Sequence, residues 1–165
     1  MIITPNKPIA WVGIDPGQTG AAAIIFENGH EVFDWPGTPD IAYLNLIDWK
    51  DRYWIELIVL EKAQPMKKNG VKQGVVSTFK FADNFGQWKG MLAALAIPLL
   101  LVTPKNWQKG LVSKSDGTTT KERSLAVARR LFPSADLRLK KHHNRADALL
   151  MAYKAHEIFN LTKKE

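Results

Sequence analysis

The chain has 165 residues, 23 Lys and Arg against 16 Asp and Glu, a formal charge of +7, and no cysteine. That length suits one domain, and the lack of cysteine excludes disulfides, thiolate metal sites and a cysteine nucleophile. The charge favours a polyanionic partner, nucleic acid first; no apolar run approaches the ~18 residues that cross a bilayer and the first ten residues do not resemble a signal peptide, so a soluble, cytoplasmic protein with no membrane partner is expected.

In chain order, Trp11-Val12-Gly13-Ile14-Asp15 is an apolar run that could fill a buried strand and ends in a carboxylate. Pro16 and Gly17 follow at once, so the chain cannot continue as strand or helix. Asp15 is then either a rigidly held ligand at a strand end or the cap of its own turn. Residues 11 to 35 read as an antiparallel meander, with Ala22–Phe26 and Glu31–Trp35 joined by a Glu27-Asn28-Gly29 turn. Pro36 to Pro39 breaks the sheet, and Ile41, Leu44, Ile47 and Trp49 recur at helical spacing to about Tyr53.

Trp54 to Glu61 repeats the opening pattern, a continuous apolar strand that ends in an acid. Such strands are buried on both faces, as in the parallel part of a sheet, whose C-terminal edge is where ligands bind. Residues 62 to 74 have no periodicity and read as a mobile loop beside Glu61. Lys67, Lys68 and Lys72 are candidates for phosphate contacts there, and Met66 is either a wedge between bases or packing under the loop. From Ser77 to Ile97 the stripe Phe81, Phe85, Trp88, Leu92 and Leu95 predicts a helix ended by Pro98. A second stripe, Ala82, Gly86, Gly90 and Ala94, predicts close backbone approach, to the sheet or to a second subunit.

Leu99 to Val102 reads as a short buried strand. Thr103 to Gly110 interleaves basic residues with Trp107, and Ser113 to Thr118 looks flexible. Thr119 with Glu122 has capping-box spacing and starts a helix faced by Leu125, Ala128 and Leu131. Lys105, Lys109 and Lys121 are phosphate-contact candidates, or simply a solvated basic surface. After the basic cluster Arg138 to His143 comes a last helix on which His143, Asn144 and Asp147 share one face.

Three acids from separate elements, Asp15, Glu61 and Asp147, are the constellation that a hard Mg²⁺ or Mn²⁺ takes, since close carboxylates resist ionising together without a cation. Two such ions could activate water and steady the leaving oxygen of a phosphodiester. The sequence holds neither a G-x-S-x-G elbow nor a Walker loop, so phosphodiester hydrolysis is the leading reaction.

Ile14-Asp15-Pro16-Gly17, Val59-Leu60-Glu61 and Arg145-Ala146-Asp147-Ala148-Leu149-Leu150-Met151-Ala152, in that order, resemble the RuvC family of Holliday junction resolvases, its phage-type members in particular. The resemblance runs from about Trp11 to Tyr153. It implies an α/β, ribonuclease H-like fold: a mixed five-stranded sheet, an antiparallel meander plus parallel strands, flanked by helices. The whole chain, 1–165, would be one nuclease domain with flexible ends at 1–10 and 160–165.

It also implies a homodimer that makes paired Mg²⁺-dependent nicks in four-way DNA junctions, in a bacterial cell or phage-infected host. Asp15, Glu61 and Asp147 match the catalytic acids. Where the family places a fourth acid or a His, three residues before the last Asp, this chain has Asn144, with His143 one residue earlier. Asn144 is therefore a candidate neutral ligand and His143 a candidate catalytic group. Other nucleases of this fold acting on branched DNA or RNA/DNA hybrid, a non-cleaving junction-binding protein, and an actin-like or sugar-kinase ATP-binding domain are the alternatives. The last needs two domains, and this length supplies one.

Overall fold

β1 (Ile9–Asp15) is the middle strand of a five-stranded sheet in a computed structural model that describes residues 7–62, 67–68, 71–72 and 74–162. β2 (Ala21–Phe26) and β3 (Gly29–Asp34) continue from it as an antiparallel meander. Gly29 pairs with Phe26, so Glu27 and Asn28 alone make the connection and Gly29 opens β3 rather than the turn. On the other side β1 pairs in parallel with β4 (Trp54–Glu61), which pairs in parallel with β7 (Leu99–Val102), giving the order β3-β2-β1-β4-β7. This is the mixed sheet that the sequence predicts.

Side chains alternate between two apolar layers, as strand pleat requires. Val12 and Ile14 of β1, with Ile58 and Leu60 of β4, face α1 (Pro39–Arg52) and α2 (Val75–Leu95). Val59 faces the opposite layer, built by α4 (Thr120–Leu131), α5 (His143–Thr162) and Trp107 of the short α3 (Pro104–Gln108). Helix α5 lies directly on β1. A Cβ on Gly13 would overlap the carbonyl oxygen of Ala148 and the amide nitrogen of Ala152, so only glycine permits the approach. The small residues Ala146, Ala148 and Ala152, all fully buried, form the matching face of α5.

Several expectations change. In α1 the buried residues are Ala42, Leu46 and Trp49, while Ile41 and Leu44 are exposed. The helix is rotated from its most apolar face because Trp49 and Leu46 pack on the sheet. β7 is an edge strand rather than a buried one; Leu100 and Leu101 are each 38% exposed, since among the described residues β4 is its one strand neighbour. The segment from 62 to 74 carries two short antiparallel strands, β5 (Lys67–Lys68) and β6 (Val71–Lys72).

Ser113 to Thr118 is not loose either. Asp116 accepts from the Ser113 amide at 2.8 Å around a 3-10 turn over Lys114–Asp116. The stripe of Ala82, Gly86, Gly90 and Ala94 faces away from the sheet, all four exposed, and a Cβ on either glycine would meet nothing within 4 Å. Close approach to the sheet is therefore not its purpose. β1 and α5 reach into both of the ends expected to be flexible, starting at Ile9 and running to Thr162.

Candidate active site

The strand register brings the first two acids together. Ile14 pairs with Leu60 in parallel, so one residue further on Asp15 and Glu61 leave adjacent strands side by side, about 4.8 Å apart in the sheet. By alternation both side chains lie on the α5 face. Gly13, two residues before Asp15, is where α5 touches β1, and the contact falls on Ala148, next to Asp147. Three elements thus deliver three carboxylates to one place: the Asp15 charge raises Glu61, and Asp15 and Glu61 both raise Asp147.

Each acid is held differently. Asp15 Oδ1 accepts from the Gly17 amide at 3.1 Å, so Asp15 does cap its own turn, while its second oxygen has no protein hydrogen bond among the described residues. Asn84, a buried residue of α2, supports that turn from behind. With its amide oriented to satisfy both neighbours, it donates to the Pro16 carbonyl and accepts from Trp35 Nε1 at 3.3 Å. Glu61 Oε2 accepts from Trp107 Nε1 at 2.7 Å. Asp147 Oδ1 and the hydroxyl of Ser124 on α4 are buried and make no hydrogen bond of full geometry among the described residues, although Ser124 lies close enough to Asp147 to favour its charged form.

Burial pushes the Glu61 carboxyl up to about 7; the Trp107 N–H works against this and Asp15 adds to it. Burial likewise pushes Asp147 up to about 8, with Ser124 and Lys121 opposing and Asp15 and Glu61 reinforcing the rise. Asp15 is raised as well, by burial, against the Gly17 amide and Lys121. Three buried carboxyls with raised proton affinity in one place are a cluster short of positive charge. Lys121, in the first turn of α4, is the cation whose field reaches both aspartates and His143. The His143 imidazole is lowered, by burial first and Lys121 second.

Asn144 Nδ2 donates to the Thr19 carbonyl and, at 3.1 Å, to Thr19 Oγ1. Its amide nitrogen thus ties α5 to the loop after β1. Arg145 adds a second tie, gripping Asp34 at the end of β3 through two bonds of 2.7 and 2.6 Å and reaching Asp136 at 3.2 Å.

The structure therefore brings Asp15, Glu61 and Asp147 together with Lys121 beside the two aspartates, while His143 feels Lys121 and Asn144, one turn before Asp147 on α5, holds the Thr19 loop. Lys105 and Lys109 are exposed on and just after α3. Lys67, Lys68 and Lys72 lie in the β5–β6 hairpin, and Met66 falls outside the described residues. Trp107, Asn84 and Ser124 were not singled out by sequence reasoning. Asn84 has a signal that could have found it, a polar residue one turn before Trp88 on the apolar stripe of α2; the other two have none.

Among the described residues no three acidic or His side chains are closed into a ready-made ion cage. The donor chemistry nonetheless fits a hard divalent cation. All three groups are oxygen donors, Asp147 Oδ1 makes no hydrogen bond of full geometry among the described residues, and burial raises the proton affinity of all three, as a site that gains from an added positive charge would have.

No family model matches the chain. Over 81 residues it is 36% identical to the chloroplastic Holliday junction resolvase MOC1 of Chlamydomonas reinhardtii, a match spanning 48% of this chain and 9% of that protein. The structure is similar to that of RuvC from Thermus thermophilus in complex with Holliday junction substrate, with a TM-score of 0.61 at 15% identity, covering 93% of this chain and 96% of that one. A second structure of Thermus thermophilus RuvC gives a TM-score of 0.60 at 17% identity over the same shares. The fold is that of RuvC, and part of the sequence is similar to a Holliday junction resolvase. No helix among the described residues is long and apolar enough to cross a membrane.

Proposed function

We propose that this chain is a metal-dependent endodeoxyribonuclease that resolves four-way DNA junctions as a homodimer, by paired symmetric phosphodiester hydrolysis. The observation that carries the reading is the convergence of Asp15, Glu61 and Asp147 on one face of the sheet, two of them raised to about 7 and 8. The similarity to junction resolvases supports DNA junctions as the substrate.

Asp15, Glu61 and Asp147 would hold the metal, with Asn144 Oδ1 as a further oxygen; two Mg²⁺ ions per site, or Mn²⁺ in their place, supply water activation and charge neutralisation at the leaving oxygen. The chain's own groups do the rest. His143, whose proton affinity is lowered by burial and by Lys121, suits accepting the water's proton as the new P–O bond forms and the P–O bond to the leaving oxygen breaks. Lys121 adds positive charge where the scissile phosphate would lie. Lys67, Lys68, Lys72, Lys105 and Lys109 would follow the DNA backbone, and Met66 is kept as the candidate wedge.

Helix α2 is the proposed dimer face. Its exposed small-residue stripe leaves room for close backbone approach, and Val75, Val76 and Phe79 at its start are 86%, 68% and 72% exposed. Gly86→Leu should yield monomers by light scattering, and an unchanged dimer would move the interface elsewhere.

The deciding experiment is cleavage of a labelled synthetic four-way junction with Mg²⁺, beside matched duplex, flap DNA and RNA/DNA hybrid, for wild type and Glu61→Gln. Symmetric nicks in the junction that vanish in the variant are expected. Preferential cutting of flap or hybrid would replace the substrate, and tight binding without any cut would favour a junction-binding protein.

A further inference from the structure

Trp107 stands at the meeting of the core and the acids. It sits in α3, five residues after the end of β7, and Val102 at that end pairs with Glu61. The ring is fully buried in the layer that also holds Leu125 of α4 and Leu149 of α5. Its N–H, 2.7 Å from Glu61 Oε2, is the one polar atom of the side chain.

An indole wedged on all sides cannot swing to follow a moving carboxylate, and it can donate but never accept. Glu61 is thus pinned by one oxygen. Oε1 has no protein hydrogen bond among the described residues, so it is the oxygen left for whatever enters the cleft. The same ring belongs to the apolar layer built by α4 and α5, the helices that carry Lys121 and Asp147, so its position registers Glu61 against the other side of the site.

We infer that Trp107 is a positioning residue, whose buried N–H fixes the rotamer of Glu61 and reserves Oε1 for the reaction. The inference rests on the nuclease reading above. Without the donor, Glu61 has both oxygens free and samples orientations that do not converge with Asp15 and Asp147, a loss of preorganisation rather than of substrate affinity.

The test replaces Trp107 in the full chain by Phe and, to keep the ring volume, by β-(3-benzothienyl)alanine, which has sulfur in place of the N–H. Three quantities are read: the single-turnover rate on a four-way junction at saturating enzyme and Mg²⁺, the junction Kd in EDTA, and the thermal midpoint. The expected result for the benzothienyl protein is a rate at least tenfold below wild type, with Kd within twofold and the midpoint retained.

A second readout needs no turnover. The Trp107 indole N–H resonance of the wild type should be protected from exchange and should move in Glu61→Ala. A benzothienyl protein that cuts at the wild-type rate, or an indole resonance indifferent to Glu61→Ala, would overturn the inference and leave the nuclease reading intact. A wild-type chain that cuts no substrate would overturn both.

Discussion

Glu31 and Glu61 are glutamates on strands of the same sheet, yet their surroundings treat them in opposite ways. Glu31, on β3, accepts from Nη1 and Nη2 of the Arg52 guanidinium at 2.6 Å each, from Tyr53 Oη at 2.8 Å and from Trp49 Nε1 at 2.9 Å. Arg52 in turn is shared with Asp48 at 2.6 Å. The guanidinium, with help from Tyr53 and Trp49, holds the Glu31 carboxyl down to about 2. Glu61 has one donor, two acidic neighbours and a carboxyl pushed the other way, to about 7. Where a charge serves the fold, the chain surrounds it with donors; where the partner has to come from outside, donors are withheld. That contrast separates a structural acid from a functional one more sharply than exposure does.

The contrast breaks first on activity. Asp15→Asn, Glu61→Gln and Asp147→Asn should each lower the single-turnover rate on a four-way junction by on the order of 10²–10³-fold while junction binding in EDTA persists. Glu31→Gln should leave the rate within about twofold, because its network has no part in the chemistry.

Stability should move with the opposite sign. Asp147 is raised in the fold, so its contribution is fully present below the unfolded carboxyl value near 4 and is lost as pH rises through about 8. Metal-free Asp147→Asn should therefore melt above wild type at pH 8, by on the order of 1–3 kcal/mol, with the gap closing towards pH 4. Mg²⁺ should restore much of the difference in wild type and little in the variant, as calorimetry with and without the ion would reveal.

Glu31 gives the reverse. Its folded value lies below the unfolded one, so its contribution is present above about 4.5 and is lost as pH falls towards 2. Urea unfolding at pH 7 should find Glu31→Gln about 1–2 kcal/mol less stable, the figure being modest because the side chain is 35% exposed.

The smallest effect belongs to a position away from both acids. Ala96 closes α2 with φ 53° and ψ 38°, a left-handed cap that glycine takes without strain. Ala96→Gly should gain about 0.5–1 kcal/mol and leave cutting unchanged, separating general stability from the acid-specific effects.

Much of this site is legible in the sequence because its parts lie at element ends. A strand that stops at Asp15-Pro16-Gly17, and another that stops at Glu61, declare their own geometry, and Thr119 with Glu122 forms the capping box expected, with bonds of 3.0 and 3.2 Å. What stays hidden depends on which elements become neighbours. Leu99-Leu100-Leu101-Val102 reads as buried by composition, but burial needs a strand on the far side, and β7 has none. Trp107 looks like an aromatic among lysines, since its partner is 46 residues away. Ile41 and Leu44 mislead because helical spacing does not say which face the sheet receives.

Gly13 sets a limit on how this site can vary. The spacing between the strand that bears Asp15 and the helix that bears Asp147 is a backbone-to-backbone distance, with no side chain between them to act as a shim. Changes elsewhere in the cleft can re-aim an acid by a rotamer, but the gap itself has a single setting. Any residue larger than glycine there would lift α5 as a rigid lever and part the two aspartates together with the core. The candidate site and the fold thus share one tolerance, and neither can be retuned without the other.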